Sequence, residues 1–330
     1  MFGAKAQLEL DLAAPRPGRL SRQYLEGVVA VLWMNLRVFV QEVRNFRRFP
    51  THLRLAPAEG PGVRVVLFGL PYADWNASLS DRHLWQDLRL VSEVRRIPGL
   101  RWLLPWSAER TVVIPMKTSH AVTVPQRYPG LIPDRASARI MADKSIFQRY
   151  LVDNGMTAYA PATYASPDEA LFPCVVKRVD LSASIGVEIA TSRRHLEEIL
   201  QSGIFSGHRW LLQALVPGIV EYASFCVCDA GRIVWECTFA STMSGPAVIK
   251  NEDNGKNRRI VVTAPAVLRQ FEAVLAPLKY RGPCVIDYKI ADDGRVQIFE
   301  INPRLGGTLL LAAHARQLRE ALGHILSPAR

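Results

Sequence analysis

The pattern of apolar and polar residues divides the chain into three stretches. Residues 1–60 predict a helical extension, residues 61–140 a small α/β unit, and residues 141–330 a larger module of mixed helices and strands. Within the middle stretch, the pattern predicts a strand over 63–70, a helix over 81–96 and a short strand over 111–116.

The first stretch carries a heptad seam. Ser21 is a suitable N-cap for a helix that ends before Pro50, and apolar residues then recur at alternating spacings of four and three. The seam comprises Leu25, Val29, Leu32, Leu36, Phe39, Val43 and Phe46. Such a helix packs on its own protein's core, associates with a second copy or lies on a membrane surface. A homodimer through residues 21–48 is therefore one of three interpretations.

The third stretch alternates between helical and strand periodicity. Helices are predicted over 143–154, 192–202 and 265–278, and a further helix at the C-terminal end. Strands are predicted over 174–179, 210–216, 221–228 and 232–240, and a hairpin over 284–302. A long polar stretch over 243–259 separates two of these elements. A stretch of this length between strands is typical of an active-site lid or of a disordered surface loop.

Composition excludes several classes of protein. With 49% hydrophobic and 22% charged residues among 330, the chain is neither mainly disordered nor collagen-like. The five cysteines are odd in number and form no C-x-x-C pair, which argues against a disulfide framework or a zinc site. Reduced structural thiols and a cytoplasmic location are expected. No stretch is long and apolar enough to span a membrane.

The net charge of +11 indicates an anionic partner. Residues 1–60 carry +4, residues 61–140 carry +5, and the long third stretch carries only +2. The excess therefore points to an acidic substrate or partner at the N-terminal half. No motif that mixes basic and aromatic residues supports nucleic-acid binding.

The most informative local pattern is the alternation over residues 284–302. Asp293-Gly294 is a strong signal for a two-residue hairpin turn, which places Asp287 directly opposite Glu300. A three-residue loop would flip one strand and bury its carboxylate in the apolar layer. The predicted apolar face comprises Cys284, Ile286, Tyr288, Ile290, Phe299 and Ile301.

Two carboxylates that face each other repel, so this pairing is unfavourable without a cation between them. Asn302, two residues beyond Glu300, adds a neutral oxygen to the same face. Three hard oxygen ligands on a sheet suit a Mg²⁺ ion that also binds substrate phosphates. A solvated polar face neutralised by Lys289 is the alternative, and the hairpin alone does not decide between them.

Four sequence blocks resemble the ATP-grasp superfamily. The run EINPRLGG at 300–307, with Asp287 thirteen positions before Glu300, resembles the terminal motif of that family. The other three blocks occur in family order. The block ADKSIFQRYLVDNGM at 142–156 is similar to the opening helix, and VVKRVDLSASIGV at 175–187 is similar to the lysine strand and its phosphate loop. The block LLQALVPGIVEY at 211–222 is similar to the adenine hinge.

The resemblance implies an α/β protein with an ATP-grasp fold, α+β within the module. Residues 141–212 would form a nucleotide-clasping subdomain, and residues 213–330 a subdomain for metal and substrate. ATP and one or two Mg²⁺ ions, which Mn²⁺ could replace, would be the cofactors. The metal ligands would be Asp287, Glu300 and Asn302.

The resemblance also assigns nucleotide contacts. Backbone groups of the hinge would bond adenine, so the hinge side chains would need little identity, and Glu221 would accept the ribose hydroxyls. Residues for phosphates are Lys144, Lys177, Ser182, Ser184 and Gly186, and residues of the hinge are Gln213, Ala214 and Val216. Arg178 and Ile185 depart from the family pattern, and Ile185 removes one loop cation.

Three basic residues are expected at the reacting centre. Arg304 follows the metal ligands and is suited to the transferred phosphoryl group or a substrate carboxylate. Lys256 and Arg258 would stabilise charge if residues 243–259 close as a lid. The role of Arg304 is suggested by the resemblance, and the roles of Lys256 and Arg258 depend on the lid interpretation of residues 243–259.

The resemblance implies an ATP-dependent carboxylate–amine ligase. A small-molecule carboxylate would be phosphorylated to an acylphosphate, and an amine would then form the amide with release of ADP and phosphate. The same module occurs in kinases and in enzymes that activate carboxylates for thioester formation or carboxylation. A non-catalytic nucleotide-binding protein fits less well, because both lysines and all three metal ligands are present.

Overall fold

The computed structural model describes residues 63–68, 75, 79, 88–92 and 111–329, apart from 125, 127, 180, 182, 183 and 251–257. The predicted extension over 1–60, its heptad seam and the proposed dimer helix lie outside the described residues. Among the described residues, no helix has the length and apolar character needed to cross a membrane.

The middle stretch contains a parallel sheet. Its strands are β1 (Val63–Phe68), β2 (Leu88–Ser92) and β3 (Thr111–Pro115), in the order β2-β1-β3. The helix predicted over 81–96 is wrong where the structure describes it, because residues 88–92 form β2. A short apolar run fits both periodicities, and pairing with β1 decides in favour of the strand.

Three helices follow β3 and lead to the module: α1 (Thr118–Ala121), α2 (Arg135–Ala142) and α3 (Lys144–Asp153). Two aspartates fix where the longer helices begin. Asp134 accepts a hydrogen bond from the Ser137 amide, and Asp143 accepts from the amides of Ser145 and Ile146. The cap at Asp143 places Lys144 at the first position of α3.

A four-stranded sheet comes next. It comprises β4 (Thr163–Tyr164), β5 (Cys174–Arg178), β6 (Val187–Ala190) and β7 (Trp210–Ala214), in the antiparallel order β4-β7-β5-β6. Helix α4 (Arg193–Gln201) covers one face of it through an apolar cluster that includes Val176, Leu196 and Leu212. The opposite face carries Lys177 and Gln213, because side chains alternate along a strand.

A five-stranded antiparallel sheet completes the module. Its order is β10-β9-β8-β11-β12, with β8 (Val220–Asp229), β9 (Arg232–Thr242), β10 (Arg258–Val261), β11 (Gly282–Ile290) and β12 (Val296–Asn302). Helix α5 (Pro265–Leu275) packs with α3 against one face, where Phe271, Ile286 and Tyr288 are buried together. Helix α6 (Ala315–Leu326) follows and contacts β8 and β9.

The predicted strands and helices of the module agree with the structure to within a few residues at each end, except that the pattern did not predict β4, β6, β10 or α2. Strands β6 and β10 have four residues each, too few to show a period against their polar neighbours. All five cysteines are free and buried, as expected for structural thiols.

A glycine after β12 fixes how closely the following segment approaches the sheet. A Cβ added at Gly306 would lie 2.6 Å from Cγ2 of Val285 and would also collide with the Phe225 ring. The backbone that follows β12 therefore lies directly on the five-stranded sheet.

We expect Gly306→Ala to lower the free energy of unfolding by about 1–3 kcal/mol, because the core has no room for the methyl group. The matched control is Gly323→Ala in α6, where, in the described part of the chain, the added Cβ would meet no atom within 4 Å beyond its chain neighbours and the backbone of its own helix. Alanine has the higher helix propensity, so this variant should gain up to about 1 kcal/mol. Denaturant unfolding measures both, and equal signs would contradict the prediction.

Candidate nucleotide and metal site

The two central carboxylates lie directly opposite each other. In the β11–β12 ladder, Asp287 pairs with Glu300 and Val285 pairs with Asn302, as the sequence predicts. The amide nitrogen of Asn302 donates to Oε1 of Glu300 over 2.9 Å. Asp287, Glu300 and Asn302 therefore share one face of the sheet.

The hairpin reaches this register by a different route from the predicted two-residue turn. The amide of Ala291 donates to the carbonyl of Arg295, so the loop has three residues, and Gly294 has the positive φ of 80° that such a loop requires. An odd loop alone would bury a carboxylate, but one extra residue between Ile298 and Glu300 shifts the ladder back. The two irregularities compensate each other.

The extra residue is Phe299, which was predicted to belong to the apolar core. Ile298 and Ile301 are buried in that core, whereas the Phe299 ring lies under Lys177, with the ammonium 4.9 Å from the ring centroid. A bulge turns two successive side chains towards one side, which explains the difference. Phe299 therefore contributes an aromatic surface to the site.

Two predicted phosphate lysines surround Glu300. The Lys144 ammonium lies 3.4 Å from Oε2 of Glu300 and donates to the Leu181 carbonyl over 2.6 Å. Lys177, on β5, is only 8% exposed. Burial is the main cause that lowers the pKa of Lys177 to about 8, against the opposing charge of Glu300.

Lys250 is a site residue that sequence reasoning missed. Its ammonium lies 2.5 Å from Oε1 of Glu221 and 3.3 Å from Oδ1 of Asp287. The residue lies in the polar stretch over 243–259, where the sequence pointed instead to Lys256, Arg258 and Arg259. A single lysine in such a stretch gives no periodic or motif signal.

The lysines separate the acidities of the two carboxylates. Burial alone would raise both pKa values, and the pKa of Asp287 is indeed raised, with Lys250 opposing the shift. For Glu300, the charges of Lys144 and Lys177 and the hydrogen bond from Asn302 outweigh burial and lower the pKa. Charges of Asp287 and Glu221 raise the pKa of Lys250 although burial alone would lower it.

A threonine from the small α/β unit contacts the same cluster. The Thr118 hydroxyl, just beyond β3, donates to Oδ1 of Asn302 over 3.3 Å. The carboxyl end of a parallel strand thus meets the site, the edge of a parallel sheet where ligands commonly bind. Sequence reasoning did not select Thr118.

The hinge, residues 213–216 at the end of β7, contains a buried side-chain amide, and two of its backbone groups are already hydrogen-bonded. The Gln213 side chain is 1% exposed, and neither its nitrogen nor its oxygen has a hydrogen-bond partner among the residues that the structure describes. The Ala214 amide donates to the Ala162 carbonyl, and the Val216 carbonyl accepts from Lys289 over 3.1 Å. The unpaired Gln213 side chain contrasts with the expectation that hinge side chains need little identity.

Lys289 connects the five-stranded sheet to the hinge. Besides Val216, its ammonium bonds the Gly218 carbonyl over 2.7 Å, and the side chain is 4% exposed. It was considered as a neutralising partner of the carboxylates, but it binds hinge carbonyls instead. Burial lowers the pKa of Lys289.

The small-residue loop lies beside Lys250. Ser184, at a positive φ of 59°, donates its hydroxyl to the Lys250 carbonyl over 2.6 Å. Gly186 packs against the Arg178 side chain, where a Cβ would come within 2.7 Å of Cγ. The Arg178 guanidinium bonds the Ile204 carbonyl, on the far side of the sheet from Lys177. Ser182 lies outside the described residues.

Two of the three basic residues expected at the reacting centre lie in the described part of the chain, and each bonds a different residue of the segment that follows Asn302. Arg304 donates to the Leu305 carbonyl over 3.0 Å. Arg258, on the edge strand β10, donates to the Thr308 hydroxyl over 2.9 Å. Lys256 lies outside the described residues. Thr308 follows the terminal motif, so Arg258 and Arg304 lie on segments that meet.

Comparison with known proteins identifies the fold. No protein-family profile and no curated protein sequence matches the chain. Among solved structures, D-alanine–D-alanine ligase from Bacillus anthracis is 16% identical with a TM-score of 0.56, over 81% of this chain and 97% of that one. An L-amino acid ligase from Bacillus licheniformis is 14% identical, with a TM-score of 0.56 over 82% and 75%.

A third similar structure is N5-carboxyaminoimidazole synthase from Aspergillus clavatus, in complex with ADP and 5-aminoimidazole ribonucleotide. It is 13% identical with a TM-score of 0.55, over 81% of this chain and 77% of that one. These neighbours are ATP-grasp ligases. The chain therefore has the ATP-grasp fold that its motifs predict, although the identities are low.

The low pKa of Lys177 leads to a testable proton balance. At a pH near 8 the free protein is partly deprotonated at Lys177, and an anion beside the ammonium should restore the proton. ADP binding should therefore take up protons near pH 8, and affinity should fall as the pH rises further. Titration calorimetry in two buffers of different ionisation enthalpy measures the uptake.

The matched control is Lys177→Arg, because a guanidinium stays charged throughout this range. We expect that variant to bind ADP with little proton uptake. Equal uptake in both proteins would show that another group titrates.

Proposed function

We propose that the protein is an ATP-dependent ligase that joins a carboxylate to an amine with release of ADP and phosphate. The observation that carries the proposal is the cleft itself, where Lys144, Lys177 and Lys250 meet the opposed carboxylates Asp287 and Glu300 on an ATP-grasp fold. Of the similar solved structures, two are ligases and a third is a synthase.

The buried amide of Gln213 supports a nucleotide in this cleft. A buried polar group without a partner costs roughly 1–3 kcal/mol, so its retention calls for a ligand. An amide side chain offers one donor and one acceptor, which match N7 and N6 of adenine. Gln213 lies on the same sheet face as Lys177, so we assign the base to the hinge and the phosphates to the lysines.

The donor set also fits a divalent cation. Asp287, Glu300 and Asn302 offer two carboxylates and an amide oxygen, hard donors that suit Mg²⁺ or Mn²⁺ together with phosphate oxygens. In the described part of the chain, no group of three or more His, Cys, Asp or Glu side chains could hold a metal by itself. When bound, the ion would neutralise phosphate charge.

The reaction then needs positioning and charge neutralisation rather than an enzyme nucleophile. An oxygen of the substrate carboxylate attacks the γ-phosphorus of ATP, and the bond to ADP breaks. The amine attacks the carbonyl of the acylphosphate, phosphate leaves, and the amine loses a proton. Lys144, Lys177 and Lys250 stabilise phosphoryl charge, and we assign Arg304 and Arg258 to the transferred group and the substrate carboxylate.

The substrate end of the site faces the small α/β unit, which Thr118 links to Asn302. Most of the net charge of +11 lies in residues 1–140. We therefore propose that the carboxylate or a further acidic group of the substrate is held from that side. The domain boundaries at residues 60 and 140 stay a prediction.

We expect Asp287→Asn and Glu300→Gln to fold but to lose ATP turnover on the order of a hundredfold or more, because each removes a negative charge that would bind the cation, and that cation would neutralise the phosphates. The matched control is Asp293→Asn at the exposed hairpin loop, which should keep full turnover. Release of ADP during a screen of amino acids and small carboxylates provides the assay. Full turnover in Asp287→Asn would refute the metal assignment.

Identification of the product distinguishes the ligase from the other enzymes of this fold. We expect an amide, formed only when carboxylate, amine and ATP are all present. Mass spectrometry with ¹⁸O-labelled carboxylate should place one label in the released phosphate, because the acylphosphate oxygen comes from the substrate. A stable phosphate ester as product would instead identify a kinase.

Gln213→Leu gives opposite predictions for stability and binding. Removing an unpaired buried amide should raise the free energy of unfolding of the free protein by about 1–3 kcal/mol. The same change should weaken ADP binding about tenfold, because the base loses its partner. Thermal unfolding and calorimetry measure the two effects, and loss of stability together with unchanged binding would make Gln213 a structural residue.

A further inference from the structure

We propose that Lys250 is an exchangeable counter-ion of the site. In the free protein its ammonium neutralises Asp287 and Glu221, and it moves to nucleotide phosphates when a divalent cation binds. Cation and nucleotide then favour each other's binding through this exchange. The inference rests on the proposed function, and it concerns how the site is filled rather than which bond is made.

The geometry makes Lys250 a direct competitor for a metal ligand. Its ammonium lies 3.3 Å from Oδ1 of Asp287 and 2.5 Å from Oε1 of Glu221. Side-chain exposure is 19% for Lys250, 21% for Asp287 and 11% for Glu221. A cation that binds Asp287 has to displace this ammonium, and a partly buried ion pair makes the displacement costly.

The free site supplies its own counter-ions for its carboxylates, and Lys289 also lies within the electrostatic reach of Glu221. Three lysines and three carboxylates, namely Lys144, Lys177, Lys250, Glu221, Asp287 and Glu300, interact with one another in one cluster. A cation alone breaks internal ion pairs and leaves ammonium groups without partners. A nucleotide alone brings phosphates towards the carboxylates. When both bind, each internal pair is replaced by an external one.

Lys250 is attached so that its side chain can change partners while its backbone stays in place. The Ser184 hydroxyl donates to the Lys250 carbonyl over 2.6 Å, which ties the residue to the small-residue loop assigned to phosphates. The flexible stem of a lysine lets the ammonium turn from Asp287 towards that loop. Lys144 has a related position, since it bonds Glu300 and the Leu181 carbonyl.

Thermodynamic linkage makes the exchange measurable. The factor by which nucleotide tightens cation binding equals the factor by which the cation tightens nucleotide binding. Direct contact between cation and phosphate supplies part of this factor in any such site. The part due to Lys250 is the part that a neutral residue at position 250 removes.

The experiment measures binding without turnover. Mn²⁺ is the probe for the cation, followed by electron paramagnetic resonance of the free ion with and without ADP, and ADP binding is followed by calorimetry with and without EDTA. The variants are Lys250→Met and Lys250→Gln, which remove the charge, and Lys250→Arg, which keeps it. Lys279→Met is the matched control, because it removes one exposed positive charge beyond α5.

In Lys250→Met and Lys250→Gln, we expect Mn²⁺ alone to bind at least about fivefold more tightly and ADP alone to bind more weakly. The coupling factor should fall at least about fivefold, within the range usual for linked sites. Lys250→Arg and Lys279→Met should stay within about twofold of the wild type.

Two results would overturn the inference. One is an unchanged Mn²⁺ affinity in the neutral variants while ADP still binds. The other comes from the wild-type protein, so it holds even if the variants fail to fold: a crystal structure with Mn²⁺ and ADP in which the Lys250 ammonium still contacts Asp287. Failure of the wild type to bind ADP with or without Mn²⁺ would refute both the proposed nucleotide function and this inference.

Discussion

Repulsion between two opposed carboxylates is the constraint on which the site depends. Asp287 and Glu300 face each other across β11 and β12, on a sheet face where burial disfavours charge. Such a pair is stable only if cations surround it, and three separate segments bring them: α3, β5 and the segment before β10. Much of the module's architecture can therefore be understood as a way to hold three ammonium groups beside two carboxylates.

The charged groups of the site come from both sheets of the module. Lys177 lies on the four-stranded sheet, whereas Asp287 and Glu300 lie on the five-stranded sheet, and Lys144 begins α3, which packs on the five-stranded sheet. Electrostatic attraction thus acts across the cleft, where an apolar contact would exclude any ligand. The Phe299 ring under Lys177 adds a contact that tolerates a nearby anion.

The sequence predicts the module well where long strands and helices carry a clear period, and the carboxylate pairing follows from alternation around one turn. The sequence does not predict the turn itself. The three-residue loop and the bulge at Phe299 each shift the strand register by one residue in opposite directions, so the predicted pairing is correct although the predicted two-residue turn is wrong. Lys250 and Thr118 reach the site from outside any periodic element, and only the folded chain brings them there. The unpaired Gln213 amide depends on burial, which no local pattern encodes.

Lys289 has a mechanical consequence. By bonding the Val216 and Gly218 carbonyls, it fastens the five-stranded sheet to the connection between the two sheets, at the hinge after β7. A fastened end acts as a fulcrum: rotation of one sheet against the other displaces atoms in proportion to their distance from it. Any such rotation would therefore change the hinge end of the cleft least.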